Sequence, residues 1–214
     1  MISLLREAYV YAGSHTTELV SAFSRHLLLV GVALGIGILI CIPLGIWTSR
    51  SRLASLTAIN ISNGLRVIPS LAVLFLAIPF FGLSFTSAVI ALTLLALPPI
   101  LINTDAAYRT IDSAIREAAR GMGMTPGQIL WRVETPLALP VMVTGIRTAA
   151  TEVIASATLA AFIGAGGLGL FVVRGFSLYN IPILLVGALP VALLTLVVEI
   201  LLSGVQRALQ PPAA

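Results

Sequence analysis

The chain has 214 residues, of which 58% are hydrophobic and only 9% are charged, and its mean hydropathy is +1.08. A soluble globular domain carries about 25% charged residues, so this composition excludes an ordinary soluble domain and predicts a single integral membrane domain. The net charge is +4 and every basic residue is arginine. Basic cytoplasmic loops of a membrane protein explain this balance without a nucleic-acid partner.

Five apolar stretches predict transmembrane helices, since about 20 apolar residues cross a bilayer. A mixed segment up to Ser24 precedes them and predicts a short amphipathic helix on the membrane surface. Gly31 and Gly35 in the first stretch have the spacing that lets helices approach closely, and we interpret them as packing within one subunit. The predicted spans are residues 27–47, 56–81, 85–103, 137–163 and 181–202.

The second span contains a proline that predicts either a packing kink or a feature of a transport path. Pro69 removes one helical hydrogen bond and leaves a carbonyl free, so Pro69 and the adjacent Ser70 are candidates for lining a path. Arg66 is expected near the inner end of this span, where its long side chain can reach the membrane interface.

The fourth span carries two ionisable residues, Arg147 and Glu152. Such residues are costly inside a membrane and are functional candidates by default, so both are assigned to a path or gate. They are five residues apart, a poor spacing for pairing on one helix. Gly164, Gly166 and Gly167 end the span and predict a tight turn at its outer end, near a gate.

Four other roles are less consistent with the sequence. No G-x-x-x-x-G-K-[ST] motif is present and there is no lysine to complete one, which argues against ATP binding through a P-loop in this chain. His15 and His26 have no nearby clusters of acids or cysteines, and neither is expected deep in a span, so a metal site and an intramembrane enzyme are disfavoured. An ion-coupled secondary transporter is the less favoured alternative, because Glu152 is the single deep acid and no internal repeat is evident.

Residues 112–136 form the one long polar segment, and its first half predicts a short helix. Ser113 is the expected N-cap. Gly121 and Gly123 are expected to end this helix, because glycine adopts the left-handed conformation found at helix C-termini.

The second half of the polar segment predicts another short helix. Thr125 and Gln128 have the spacing of a capping box, and Pro126 fits the first helical position. Pro136 is expected to end this helix, because proline lacks an N–H and disfavours helix in the residue before it.

The distribution of arginines predicts the orientation. With the polar segment placed inside the cell, eight arginines lie at the cytoplasmic face and three outside, so the N-terminus is expected outside and the C-terminus inside. The eight are Arg50, Arg52, Arg66, Arg109, Arg116, Arg120, Arg132 and Arg207, and the three are Arg6, Arg25 and Arg174.

The polar segment resembles a known motif. Glu117-Ala118-Ala119, followed by Gly123 and Pro136, is similar to the E-A-A loop of bacterial ABC importer permeases. In that family the loop forms a coupling helix that sits in a groove on a separate ATPase. The resemblance implies that small residues allow close docking while charged side chains bond around the edge. The implied coupling residues are Glu117, Ala118, Ala119, Gly121, Met122, Gly123 and Met124, with Arg116 and Arg120 at the edge.

Longer motifs narrow the resemblance. P-L-A-L-P, G-I-R-T-A from Gly145 and A-T-L-A-A-F-I-G-A-G-G-L-G from Ala157 are similar to the osmoprotectant permeases, which handle glycine betaine, choline and carnitine. Val133 and Thr135 depart mildly from the family, which usually has isoleucine and leucine there. Glu152 departs as well, since the family is usually apolar at that position. Methionine permeases share the five-span plan, so an amino acid remains the nearest alternative substrate.

The resemblance also implies the setting. The fold is expected to be all-α, with five transmembrane helices and the coupling loop between the third and the fourth. The partners implied are two ATP-binding subunits, a second permease copy or a related permease, and a substrate-binding protein. This chain would be a non-catalytic subunit without a cofactor of its own, since the partner ATPase would bind ATP and magnesium. The implied location is the bacterial cytoplasmic membrane.

Overall fold

The computed structural model describes residues 2–210, and in this part of the chain every regular element is a helix. The elements are α1 (Ile2–Ser14), α2 (Thr16–Thr48), α3 (Arg52–Val67), α4 (Ser70–Phe81), α5 (Phe85–Arg109), α6 (Ser113–Gly121), α7 (Pro126–Ile129), a π-helical turn (Leu130–Glu134), α8 (Thr135–Ala157), a 3₁₀ turn (Leu159–Ile163), α9 (Gly169–Ser177) and α10 (Ile181–Leu209).

The long helices match the predicted membrane protein. Within the described residues, α2, α5, α10 and the continuous helix Pro126–Ala157 are each long and apolar enough to cross a bilayer. The pair α3 and α4 qualifies as a fifth crossing if both parts are counted together. The fourth predicted span ends differently from the prediction. Its regular α-helix ends at Ala157, and residues 159–163 form a 3₁₀ turn.

The second predicted span is broken. α3 and α4 meet at an angle of 93°. Ile68 and Pro69 are extended there, with ψ values of 122° and 135°, because proline forces the residue before it out of the helical conformation. The expected position of Arg66 near the inner end is therefore wrong. Arg66 lies beside the break, 14 residues and about 21 Å along α3 from Arg52.

α5 forms the centre of the core and packs between α2 and α8. Glycines permit the close approach of both neighbours. A Cβ atom added at Gly45 of α2 would lie 2.7 Å from the side chain of Thr104, and one added at Gly145 of α8 would lie 2.6 Å from the carbonyl oxygen of Pro99. Any larger residue would push these helices apart.

The interpretation of Gly31 and Gly35 as packing within the subunit is wrong. Among the described residues, no atom outside the local helix backbone comes within 4 Å of a Cβ built on either glycine. The α2 glycines that do pack inside the subunit are Gly37 and Gly45, which both face α5.

The N-terminal part forms the predicted short helix, α1, which ends before His15 and packs against α10. His26 on α2 is fully buried within the protein. Within the described part of the chain, neither of its ring nitrogens has a hydrogen-bond partner.

Candidate functional site

The first helix of the polar segment is α6. Its N-cap is Asp112 rather than the expected Ser113, because the Asp112 carboxylate accepts a hydrogen bond from the N–H of Ala114 at 2.9 Å. Gly121 is the last helical residue, and Gly123 adopts a φ of +79°. The glycine-terminated end is therefore confirmed, with the sharp turn made by Gly123.

The second helix begins as predicted, with Thr125 and Gln128 forming a capping box and Pro126 in the first turn. The expectation that Pro136 ends it is wrong. The helix passes through the π-helical turn and continues into α8. The wider turn accommodates the proline, and the Thr135 hydroxyl donates to the carbonyl oxygen of Leu130 at 2.8 Å. The polar segment and the fourth span thus share one continuous helix.

α6 presents a small, mostly apolar surface to its surroundings. Ala118 and Gly121 are exposed, and Met122 is 74% exposed. Ala119 is only 1% exposed, so of the two alanines expected to dock in a groove only Ala118 lies at the surface. Among the other residues of α6 and of the turn after it, those exposed are Ala114, Ile115, Glu117, Arg120 and Gly123, while Met124 is half-buried.

Arg116 does not lie at the edge of this surface, as the resemblance implied, but points into the protein. Its guanidinium donates to the carbonyl oxygens of Tyr108 and Ile111, at 2.5 and 3.2 Å, and to the Glu134 carboxylate at 2.6 Å. These bonds tie α6 to the end of α5 and to the π-helical turn before α8.

Glu134 is the functional candidate that the sequence analysis missed. Its side chain is 2% exposed and accepts hydrogen bonds from Arg116 and from both Nη atoms of Arg50, at 2.9 and 2.5 Å. Bonding to Glu134 raises the pKa of Arg50, so this guanidinium stays charged. We call Arg50, Arg116 and Glu134 the arginine clamp. It joins α6 and the start of α8 to the connection between α2 and α3. The one sequence signal was an acid placed immediately before an apolar span.

Asp105 provides a second buried carboxylate, and its partners lie near Arg50 of the clamp in the sequence. Asp105 is 1% exposed and accepts hydrogen bonds from the hydroxyls of Thr48 and Ser55, at 2.9 and 2.7 Å. Arg109 lies 3.9 Å away on the next turn of α5. A buried carboxylate is tolerable only with such partners, and here they hold the ends of α2, α3 and α5 together.

The break between α3 and α4 brings three of the predicted path residues together. Pro69, Ser70 and Glu152 line a cavity of about 450 Å³, which also contains Arg66. The Arg66 guanidinium lies 3.2 Å from the Glu152 carboxylate. Glu152, which the sequence analysis left without a partner, is therefore half of an ion pair between the second and fourth spans.

Arg147 belongs to a different contact. It lies 3.2 Å from the Glu199 carboxylate and donates to the side chains of Ser203 and Gln206, at 3.0 Å each. Arg147 therefore connects α8 to α10. It is absent from the lining of the cavity that contains Glu152.

The predicted glycine turn is confirmed. Gly164, Gly166 and Gly167 have φ values of 74°, 84° and 85°, a region that side chains other than glycine rarely adopt. Arg25 donates from Nε to the carbonyl oxygen of Ala165 at 3.1 Å. These glycines line a separate cavity with residues of α2 and are not among the residues beside Glu152.

Comparison with known proteins gives one consistent family. Residues 37–212 match the family described as "Binding-protein-dependent transport system inner membrane component". The chain is 43% identical over 189 residues to the carnitine transport permease protein OpuCB of Listeria monocytogenes, covering 88% of this chain and 87% of that one. It is 38% identical over 194 residues to the choline transport system permease protein OpuBB of Bacillus subtilis, covering 91% and 89%. It is 41% identical over 198 residues to the osmoprotectant import permease protein OsmW of Salmonella typhimurium, covering 90% and 92%.

The fold has a solved counterpart. A chain from the inward-facing methionine ABC transporter MetNI superimposes with a TM-score of 0.82 at 25% sequence identity, covering 92% of this chain and 99% of that one. The all-α fold is therefore that of an ABC importer permease. The chain belongs to the family of inner-membrane components of binding-protein-dependent transport systems and is a permease subunit.

Proposed function

We propose that this permease subunit forms the substrate path of an ATP-driven importer for osmoprotectants of the glycine betaine, choline and carnitine class. The observation that carries the substrate class is the set of relatives, which are named for carnitine, choline and osmoprotectants and are 38–43% identical over about nine-tenths of the chain. Import of an amino acid is the second candidate, because the methionine transporter shares the fold at 25% identity.

Energy is proposed to enter through the exposed surface of α6. ATP and magnesium would be bound by two separate ATPase subunits, and this chain would carry no cofactor. Ala118, Gly121 and Met122 make a surface of small and flexible side chains that a groove can close around. Exposed Glu117 and Arg120 flank it and can form charged hydrogen bonds with the partner.

The arginine clamp is proposed to carry this movement to the spans. Glu134 lies immediately before α8 and is held by Arg116 of α6 and by Arg50 beyond α2. A displacement of α6 would therefore act on the ends of two spans at once. Contiguous polar contacts and rigid helices can carry a movement from one site to another. The continuous helix from Pro126 to Ala157 supports transmission from the polar segment to the fourth span.

The assembly and orientation complete the proposal. The importer would contain a second permease copy or a related permease and would receive substrate from a separate binding protein. With α6 in the cytoplasm, Arg66 is no longer counted at the cytoplasmic face, because it lies beside the break between α3 and α4. Seven arginines then lie at that face, against three outside. This bias supports an external N-terminus and a cytoplasmic C-terminus in the bacterial inner membrane.

Reconstitution tests the substrate class. The permease, purified with its ATPase, is placed in liposomes with its binding protein, and ATP-dependent uptake of glycine betaine, choline, carnitine and methionine is measured. We expect uptake of the quaternary ammonium compounds and none of methionine. Uptake of methionine alone would replace the proposal by the second candidate.

A further inference from the structure

We propose that Arg66 and Glu152 form a charge-recognition subsite that holds the two ends of a zwitterionic quaternary ammonium substrate and sets the preference between zwitterions and simple cations. This proposal rests on the substrate class proposed above and adds the residues that read its charges. We call the pair the break subsite, since it lies beside the break between α3 and α4.

The geometry places both charged groups within reach of a molecule in the cavity. Arg66 Nη2 lies 3.2 Å from Glu152 Oε1, and the side chains are 47% and 38% exposed. By contrast, Glu134 of the arginine clamp is 2% exposed, so its carboxylate is committed to its arginine partners. The Arg66–Glu152 pair can open toward a ligand, whereas the clamp cannot.

Stability does not explain the pair. Ionisable groups within spans are costly to insert and are retained where they serve a path or a ligand. A half-exposed ion pair contributes little to folding, because the attraction is offset by solvation and by the entropy of two long side chains. Arg66 and Glu152 are 86 positions apart in the sequence and belong to two different spans. The pair borders an open cavity and not a closely packed helix interface.

The cavity has the size and lining of a small-molecule site. Its volume of about 450 Å³ falls within the range of about 300–1,000 Å³ typical of ligand pockets. Its described lining combines apolar side chains with this one ion pair and with Ser70 and Ser156. No aromatic ring is among the described lining residues, so the Glu152 carboxylate, rather than a ring face, is the group that can hold a cation. The apolar members are Leu65, Ile68, Pro69, Leu94, Leu95, Pro98 and Ala155.

The chemistry favours an exchange of partners. A zwitterion brings a carboxylate that can form charged hydrogen bonds to the Arg66 guanidinium and an ammonium that can lie against the Glu152 carboxylate. All four charges are then paired, and the two side chains pair again when the substrate leaves. A cation without a carboxylate satisfies Glu152 but leaves Arg66 without an anion, so the complete subsite favours the zwitterion.

Uptake of glycine betaine and choline by the reconstituted importer tests the subsite. We expect Arg66→Gln to lower glycine betaine uptake about tenfold while changing choline uptake less than about twofold, since one charged hydrogen-bonding partner is lost for the carboxylate alone. Glu152→Gln should lower both about tenfold. The ratio of the two rates in one preparation is independent of how much of the variant folds.

The exchanged variant Arg66→Glu with Glu152→Arg separates recognition from packing. It retains an ion pair with its charges reversed, so we expect normal assembly of the complex with low uptake of both compounds. Glu18→Gln, which removes the ion pair between Glu18 and Arg174, is the matched control and should leave the glycine betaine to choline ratio unchanged.

Two results would overturn the subsite while leaving the substrate class intact. One is an Arg66→Gln importer with the wild-type ratio of glycine betaine to choline uptake. The other is wild-type uptake by the exchanged variant, which would make the pair a structural contact. A wild-type importer that moves neither compound would overturn the proposed substrate class and the subsite with it.

Discussion

Replacing Glu134 by glutamine tests whether the arginine clamp positions the coupling helix. The substitution keeps the size of the side chain and removes the charge that Arg50 and Arg116 share. Removing one partner of a buried ion pair costs about 3–5 kcal/mol, because a charge is left without compensation. Here the cost should lie at the lower limit, about 3 kcal/mol, since the Arg50 side chain is 45% exposed and can turn to water.

The expected result has two parts, a lower thermal midpoint of the purified complex and a weaker coupling. Arg116 keeps its bonds to the carbonyl oxygens of Tyr108 and Ile111, so α6 should stay folded. What it loses is the tie to the start of α8. Basal ATP hydrolysis should therefore persist, while stimulation by the loaded binding protein should fall.

The control is Glu18→Gln, in which the ion pair lost is half-exposed and should contribute about 0–1 kcal/mol. Thermal unfolding and stimulated ATP hydrolysis are measured on both variants. A Glu134→Gln complex with the wild-type midpoint and full stimulation would refute the reasoning, because both the buried charge and the transmission would then be dispensable.

Three further predictions follow from single positions. Gly123→Asp should abolish stimulated ATP hydrolysis and uptake. Gly123→Ala should show only the strain of a non-glycine residue at a φ of +79°, about 1–2 kcal/mol. If both variants were as active as wild type, the coupling contact would be contradicted. A cysteine at exposed Gln128 in a Cys41→Ser background should resist an impermeant reagent added to intact cells, and labelling from outside would reverse the proposed orientation. Gly145→Ala should lower the thermal midpoint by an amount equivalent to about 1–3 kcal/mol, because its Cβ would lie 2.6 Å from the Pro99 carbonyl oxygen. Gly64→Ala should not lower the midpoint, because the added Cβ meets no described atom within 4 Å.

Local chemistry by itself determined the membrane class, the approximate spans and the turns of this protein. Hydropathy marks a span because a bilayer requires a continuous apolar length. The Thr125–Gln128 capping box and the turns at Gly123 and Gly164 were equally predictable, because each depends on hydrogen bonds and backbone angles within a few residues.

Tertiary structure alone decided which polar groups meet and which faces are hidden. Arg50 lies 84 residues from Glu134, and Arg66 lies 86 from Glu152, so no local spacing encodes either pair. Both depend on how α2, α3 and α8 pack around α5. The burial of Ala119 and the inward direction of Arg116, which the E-A-A motif had suggested to be surface features, have the same origin. The rotation of a short helix about its axis is set by the groups it packs against, and these lie far away in the chain.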